Sequence, residues 1–185
     1  LADYQNKLLD VAFEAASAIP IQPHIKDRSR AQGKVVETSL ELDQPLRALR
    51  CIEKIDNWRR GTGYGALAFF YSRHGYANET QQYSDLALQF SESAEDWHKD
   101  HIRMKIANAY ALLGETQQAD QYVKDLADVE SLKVAKVTAM IANDDHFNEQ
   151  MKALDALLVS GNFDIVVNAL KVCANLFNRF YDNTE

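Results

Sequence analysis

The sequence predicts an all-α fold, an α-α superhelix of about four helical hairpins closed by a C-terminal capping helix. Three observations carry that prediction. Seven Gly and three Pro in 185 residues leave few breaks, which favours long helices over a sheet with many tight turns. Apolar residues recur at helical spacing through most of the chain. Small residues recur inside those segments at Val36, Ala68, Ala107, Thr138 and Ala174, at intervals of 32, 39, 31 and 36 residues. Periods of that length mark stacked helix pairs, each unit burying its apolar stripe against the next.

The first helix is predicted from about Ala2 to Ala18, with Leu8, Leu9, Ala12, Ala15 and Ala16 on one stripe and Pro20 and Pro23 stopping it. From His24 to about Glu41, Ala31, Val35, Val36 and Leu40 share a face, with Arg28, Arg30, Lys34 and Glu37 elsewhere. Asp43 then stands as an N-cap before Pro45, and Leu46, Leu49, Ile52 and Ile55 form the next apolar stripe. These segments make the first hairpin. A second pairs Arg60–His74 with Glu79–Phe90 across Gly75, Asn78 serving as a cap. A third pairs Asp96–Leu113 with Glu115–Ala127 across Gly114, and a fourth pairs Glu130–Ala142 with His146–Val159 across Asn143, Asp144 and Asp145. The helix from about Phe163 to Tyr181 has no sequential partner and is read as the cap. Ser91, Glu92, Ser93 and Ala94 fill the widest interval, which predicts one longer loop between repeats. Residues 1–185 are read as a single domain.

Within the third hairpin, Ile106, Ala107, Tyr110, Gly114 and Ala119 give a large residue, a small one, an aromatic, a glycine and an alanine at fixed offsets. That pattern resembles the tetratricopeptide repeat. The second hairpin supplies Leu67, Ala68, Tyr71 and Gly75, with Thr80 in the alanine position; the first supplies Val35, Val36, Asp43 and Ala48, with Ser39 in the aromatic position. Val137, Thr138, Ile141 and Asp145 follow the pattern more loosely, and Cys173, Ala174 and Phe177 follow it over one helix. The resemblance implies a protein-interaction module whose first helices line a concave groove for a peptide or helix of a partner protein. It places the exposed groove positions at Arg30, Glu37, Phe69, Arg73, His101, Asn108 and Asn143.

The chemistry of packing agrees with that pattern. A small side chain at Ala68 or Ala107 admits a neighbouring helix, and Tyr71 or Tyr110 one turn later fills the space beside it. Trp58 and Trp97 each stand ten residues before the small residue of their repeat. They are expected to pack at the entrance of each first helix, the competing reading being ligand platforms.

Other chemistries leave weaker marks. A net charge of -7 argues against a nucleic-acid binder, and Arg47, Arg50, Lys54, Arg59 and Arg60 read as a solvated rim. Gly61, Gly63 and Gly65 follow no apolar strand and depart from GxGxxG spacing, so they read as sites of close helix packing. Cys51 and Cys173 sit among apolar neighbours and read as buried thiols. No apolar run is long enough for membrane insertion and no signal peptide is visible, so the expected location is cytoplasmic; a chain opening on Leu1 leaves an exported, trimmed protein as the alternative. Neither a catalytic triad nor a cofactor motif stands out. The alternatives to an interaction module are a metal-assisted helical enzyme using Glu95, His98 and His101, with one Glu-x-x-His motif and no second, and a fragment of a longer solenoid, or a self-associating chain, exposing Leu170, Phe177 and Phe180 on its last helix.

Overall fold

A computed structural model describes residues 1–92 and 94–124, together with Lys152, Asp155, Val159, Val166 and Leu170. Apart from those five residues, the expected fourth hairpin and capping helix, with Asn143, Cys173, Phe177 and Phe180, lie outside the described residues. Among the described residues the structure is all-helical: α1 (Asp3–Ala18), α2 (Ile21–Glu41), α3 (Pro45–Ile52), α4 (Arg59–Arg73), α5 (Ala77–Ser91), α6 (Asp96–Leu112) and α7 (Thr116–Val123). None of these helices is long and apolar enough to cross a membrane.

Three turns join α2 to α3, α4 to α5 and α6 to α7, and they share one backbone design. Asp43, Gly75 and Gly114 each adopt positive φ, at 57°, 75° and 79°. Each donates its N–H three residues back, to the carbonyls of Leu40, Ser72 and Ala111. The following residue, Gln44, Tyr76 or Glu115, donates five residues back to Ser39, Tyr71 or Tyr110, at 2.8, 3.1 and 3.0 Å. These paired bonds satisfy the carbonyls that a helix end would otherwise leave open. Asp43 is therefore the left-handed residue ending α2, and not the N-cap of α3. That cap is Gln44, with Pro45 opening the helix. Similarly, Asn78 lies inside α5, which starts at Ala77 with Tyr76 as its cap.

The register of the three hairpins extends into the core. Seven residues before each turn residue stand Val36, Ala68 and Ala107; five after it stand Ala48, Thr80 and Ala119, and all six are buried. The interval between the second and third units is longer because α5 has 15 residues where α3 has 8. The extra length is helix and not the expected loop, since α6 begins at Asp96 soon after α5 ends at Ser91.

The first helices of the hairpins pack side by side, α2 on α4 and α4 on α6, while α1 covers α2. Close approach around α4 depends on its glycines. A Cβ at Gly61 would lie 2.9 Å from the Ala87 carbonyl oxygen, and one at Gly63 would lie 2.8 Å from Ile52 Cγ1. Ile52, Leu67, Ile102 and Ile106 fill the centre, all fully buried. The face of α1 that joins this core carries Leu9, Phe13 and Ala16. Leu8, Ala12 and Ala15, expected on that stripe, are exposed, as is Leu46 on α3. Phe13 is the reason: its buried ring sets the core-facing side of α1 one residue away from the alanine-rich stripe.

Polar side chains fix how α1 and α2 meet the entrance of α4. Arg28 donates to the carbonyls of Ser17 and Ile19 and pairs with Asp56. Gln32 Nε2 donates to Ser17 Oγ at 3.0 Å, and Asn57 Nδ2 donates to Ser29 Oγ at 2.9 Å. Ser29 and Gln32 are 1% exposed, so these bonds satisfy the Ser29 hydroxyl and the Gln32 amide nitrogen, which would be costly to bury alone, while Gln32 Oε1 has no hydrogen-bond partner among the described residues.

Candidate functional site

Alternate helices α2, α4 and α6 leave two adjoining cavities between them. The wider, about 290 Å³, is lined from α2 by Glu37, Leu40 and Glu41, from α4 by Ala66, Phe69, Phe70 and Arg73, and from α6 by Lys105 and Asn108. The narrower, about 120 Å³, continues along the same helices past Arg30, Lys34, Glu37, Arg59, Thr62 and Lys105. Glu37, Ala66 and Lys105 border both. The two cavities form one groove, apolar and mixed in charge at one end and basic at the other.

Helical spacing explains why these residues share a face. On α4, Thr62, Ala66, Phe69 and Arg73 follow one another at four, three and four residues, the repeat of a single helical stripe. On α2, Arg30, Lys34, Glu37 and Glu41 do the same. Lys34 reaches Glu37 at 3.0 Å and Arg30 pairs with Asp27 at 3.6 Å, contacts between exposed groups that are worth little individually.

Four of the sequence-predicted positions, Glu37, Phe69, Arg73 and Asn108, meet at the wider cavity, and Arg30 borders the narrower. His101 lines neither; it lies on α6 one turn before Lys105 and is exposed. Desolvation first, and then Lys105 and Arg59, push its imidazole down to about 4. Burial also lowers the pKa of Arg59, Arg30 adds to the shift and Glu37 opposes it. The narrow end gathers the cationic side chains of Arg30, Lys34, Arg59 and Lys105 in an acidic chain.

Lys34, Arg59, Thr62 and Lys105 also line the groove and were not singled out from sequence. A signal for two of them was present, because each lies four residues from a predicted position on the same helix: Lys34 after Arg30 and Lys105 after His101; Thr62 lies seven residues before Phe69 on the same stripe. Arg59 carried no such signal, since its place depends on how Trp58 opens α4. The guanidinium of Arg59 lies 4.7 Å from the Trp58 ring, over its face.

Of the basic stretch from Arg47 to Arg60, Arg50 and Lys54 are exposed, as a solvated rim requires, whereas the other three are engaged. Arg47 bonds Asp10 and Asn6 of α1, Arg60 Nε donates to the Ile55 carbonyl at 2.7 Å and its head covers Phe90, and Arg59 faces the groove. Trp58 stacks on His98 at 3.5 Å between centroids. His98 is 6% exposed, and burial lowers its pKa, which keeps the imidazole neutral in that stack. Among the described residues, no three His, Cys, Asp or Glu side chains come together as metal ligands. Cys51 is a buried free thiol, its pKa raised by burial. Comparison of the chain with family models, with curated proteins and with solved structures gives no match.

Proposed function

We propose that the chain is a non-catalytic, tetratricopeptide-like helical repeat module that holds a peptide or helix of a partner protein in the groove between α2, α4 and α6. One observation supports this above the others: the positions that the repeat resemblance assigns to a binding face, Glu37, Phe69, Arg73 and Asn108, line one cavity although they come from three helices. The recurrence of the same turn at Asp43, Gly75 and Gly114 supports the repeat reading on backbone grounds.

The layout of the groove favours a peptide: two connected hollows of about 290 and 120 Å³ follow one another along the helices, which suits successive side chains of one segment. Asn108 Oδ1 is buried beside the wider hollow and has no hydrogen-bond partner among the described residues, so it stands ready to accept from a peptide N–H.

The test is partner capture from the native source by wild type and by an Arg73→Glu, Asn108→Ala double variant of matched helicity. Loss of the captured protein from the double variant is the expected result. Equal recovery by both would remove the groove as the binding surface.

A further inference from the structure

We infer that the groove's occupant is an acidic, amphipathic peptide segment, with an apolar side chain in the wider hollow and carboxylates in the narrower one. This rests on the groove reading above and adds the chemistry of the partner.

Charge carries the inference. The whole chain is at -7, so its average field repels an acidic partner. The narrow hollow differs: among the described residues, Arg30, Lys34, Arg59 and Lys105 line it together with the Glu37 carboxylate. Asp27 pairs with Arg30 and Glu37 with Lys34, so four cationic side chains stand there with two carboxylates. Local positive potential on an otherwise acidic surface gives selectivity, because an acidic segment is attracted only where it fits.

Shape and polarity agree. Leu40, Phe69 and Phe70 give the wider hollow an apolar wall for one anchoring side chain. Thr62 Oγ1 is buried at the narrow hollow without a hydrogen-bond partner among the described residues, and a hydroxyl there can donate to a carboxylate oxygen. Nucleic acid is the competing anion, but its phosphates would meet the net negative charge of the rest of the surface, and affinity for phosphate backbones depends on a broad positive footprint.

Selection of random peptides displayed on phage against the immobilised full chain tests this directly. The expected winners carry Asp or Glu beside a large apolar residue. Their binding should fall about tenfold in a Lys34→Glu, Lys105→Glu variant and weaken with added salt. Lys34→Gln alone, at an exposed position, gives the same direction if the double reversal does not fold. Winners that are neutral or basic, yet lost on Phe69→Asp, overturn the acidic class and leave the groove reading standing. An absence of enriched peptides, or winners indifferent to both Phe69→Asp and the charge reversals, overturns the groove reading itself. A labelled single-stranded RNA that binds more tightly than the peptides and is lost on the same charge reversals overturns the inference in favour of nucleic acid.

Discussion

The rings of Tyr110 in α6 and Tyr122 in α7 lie parallel, 5.6 Å between centroids with planes 2° apart. Tyr71 and Tyr83 repeat the arrangement between α4 and α5, at 5.4 Å and 11°. In both hairpins the second ring stands twelve residues after the first, across the same turn. The first hairpin has Ser39 and Cys51 at those stations, both buried, and Phe13 of α1 belongs to the cluster that covers them. A stacked pair therefore clips each of the later hairpins, and the first has none at the corresponding positions.

Loss of a clip should cost more than the area of one ring suggests, because the stack also fixes the angle between the helices. Tyr122→Ala is expected to lower the free energy of unfolding by about 2 kcal/mol, less than for a fully buried aromatic because Tyr122 is only partly buried. Urea denaturation measures this. A change within the error of the fit would show that α7 is held by other contacts.

Alkaline stability follows from the same pair. Burial, and then the neighbouring Tyr122, push the Tyr110 phenol up to about 12 from 10.0. The folded state therefore holds its proton more tightly than the unfolded state. This contribution is complete below the unfolded value near 10 and is lost as pH rises through about 12. Tyr110→Phe should lose less stability than wild type over that window, as read by urea midpoints along an alkaline series. Parallel losses in both proteins would assign the alkaline limb to other groups.

At the turns, equal backbone geometry meets unequal residues. Asp43 holds φ of 57° with a Cβ, while Gly75 and Gly114 hold similar angles without one. A side chain in the left-handed region costs about 1 kcal/mol. Asp43→Gly should therefore raise stability by up to about 1 kcal/mol, and Gly75→Ala and Gly114→Ala should each lower it by about 1 to 2 kcal/mol. Asp43 also lies 3.8 Å from His74 Nε2, an exposed contact too weak to reverse the sign. A less stable Asp43→Gly protein would show that the Asp43 side chain contributes more than its backbone strain costs.

How much of this could be read from residues alone depended on the range of the interaction. Helix class and the ends at Gly75 and Gly114 were legible, because a left-handed C-terminal residue is a local demand that glycine meets directly. Asp43 was misassigned, since an acidic residue before Pro45 satisfies the rules for an N-cap as well as those for a turn. The buried face of α1 was displaced because alanines fit either side of a helix, whereas Phe13 fits only one. In the groove, Glu37, Phe69, Arg73 and Asn108 came from the tetratricopeptide resemblance. Arg59 did not, because its orientation depends on Trp58 stacking against His98 on another helix. Contacts that join distant segments leave no spacing to detect.

The glycines of α4 separate packing from propensity. Gly33 in α2 has open space where a Cβ would stand, whereas a Cβ at Gly63 would press on Ile52 Cγ1 at 2.8 Å, and one at Gly61 would meet the Ala87 carbonyl oxygen at 2.9 Å. Alanine is the better helix former at all three positions by about 1 kcal/mol. Gly33→Ala should therefore stabilise the protein by up to that amount. Gly61→Ala and Gly63→Ala should destabilise it, by about 1 to 3 kcal/mol, as α4 is forced from its neighbours. The two differ in what can yield. The atom facing Gly63 belongs to a side chain, so Ile52→Ala, which removes Cγ1, should cost less in a Gly63→Ala background than it does alone. The atom facing Gly61 is backbone, and no side-chain change at Ala87 removes it. Thermal unfolding of the three single glycine variants, of Ile52→Ala and of the Gly63→Ala, Ile52→Ala double variant reads all of these differences, and a Gly61→Ala protein as stable as wild type would show that α4 and α5 can separate without cost.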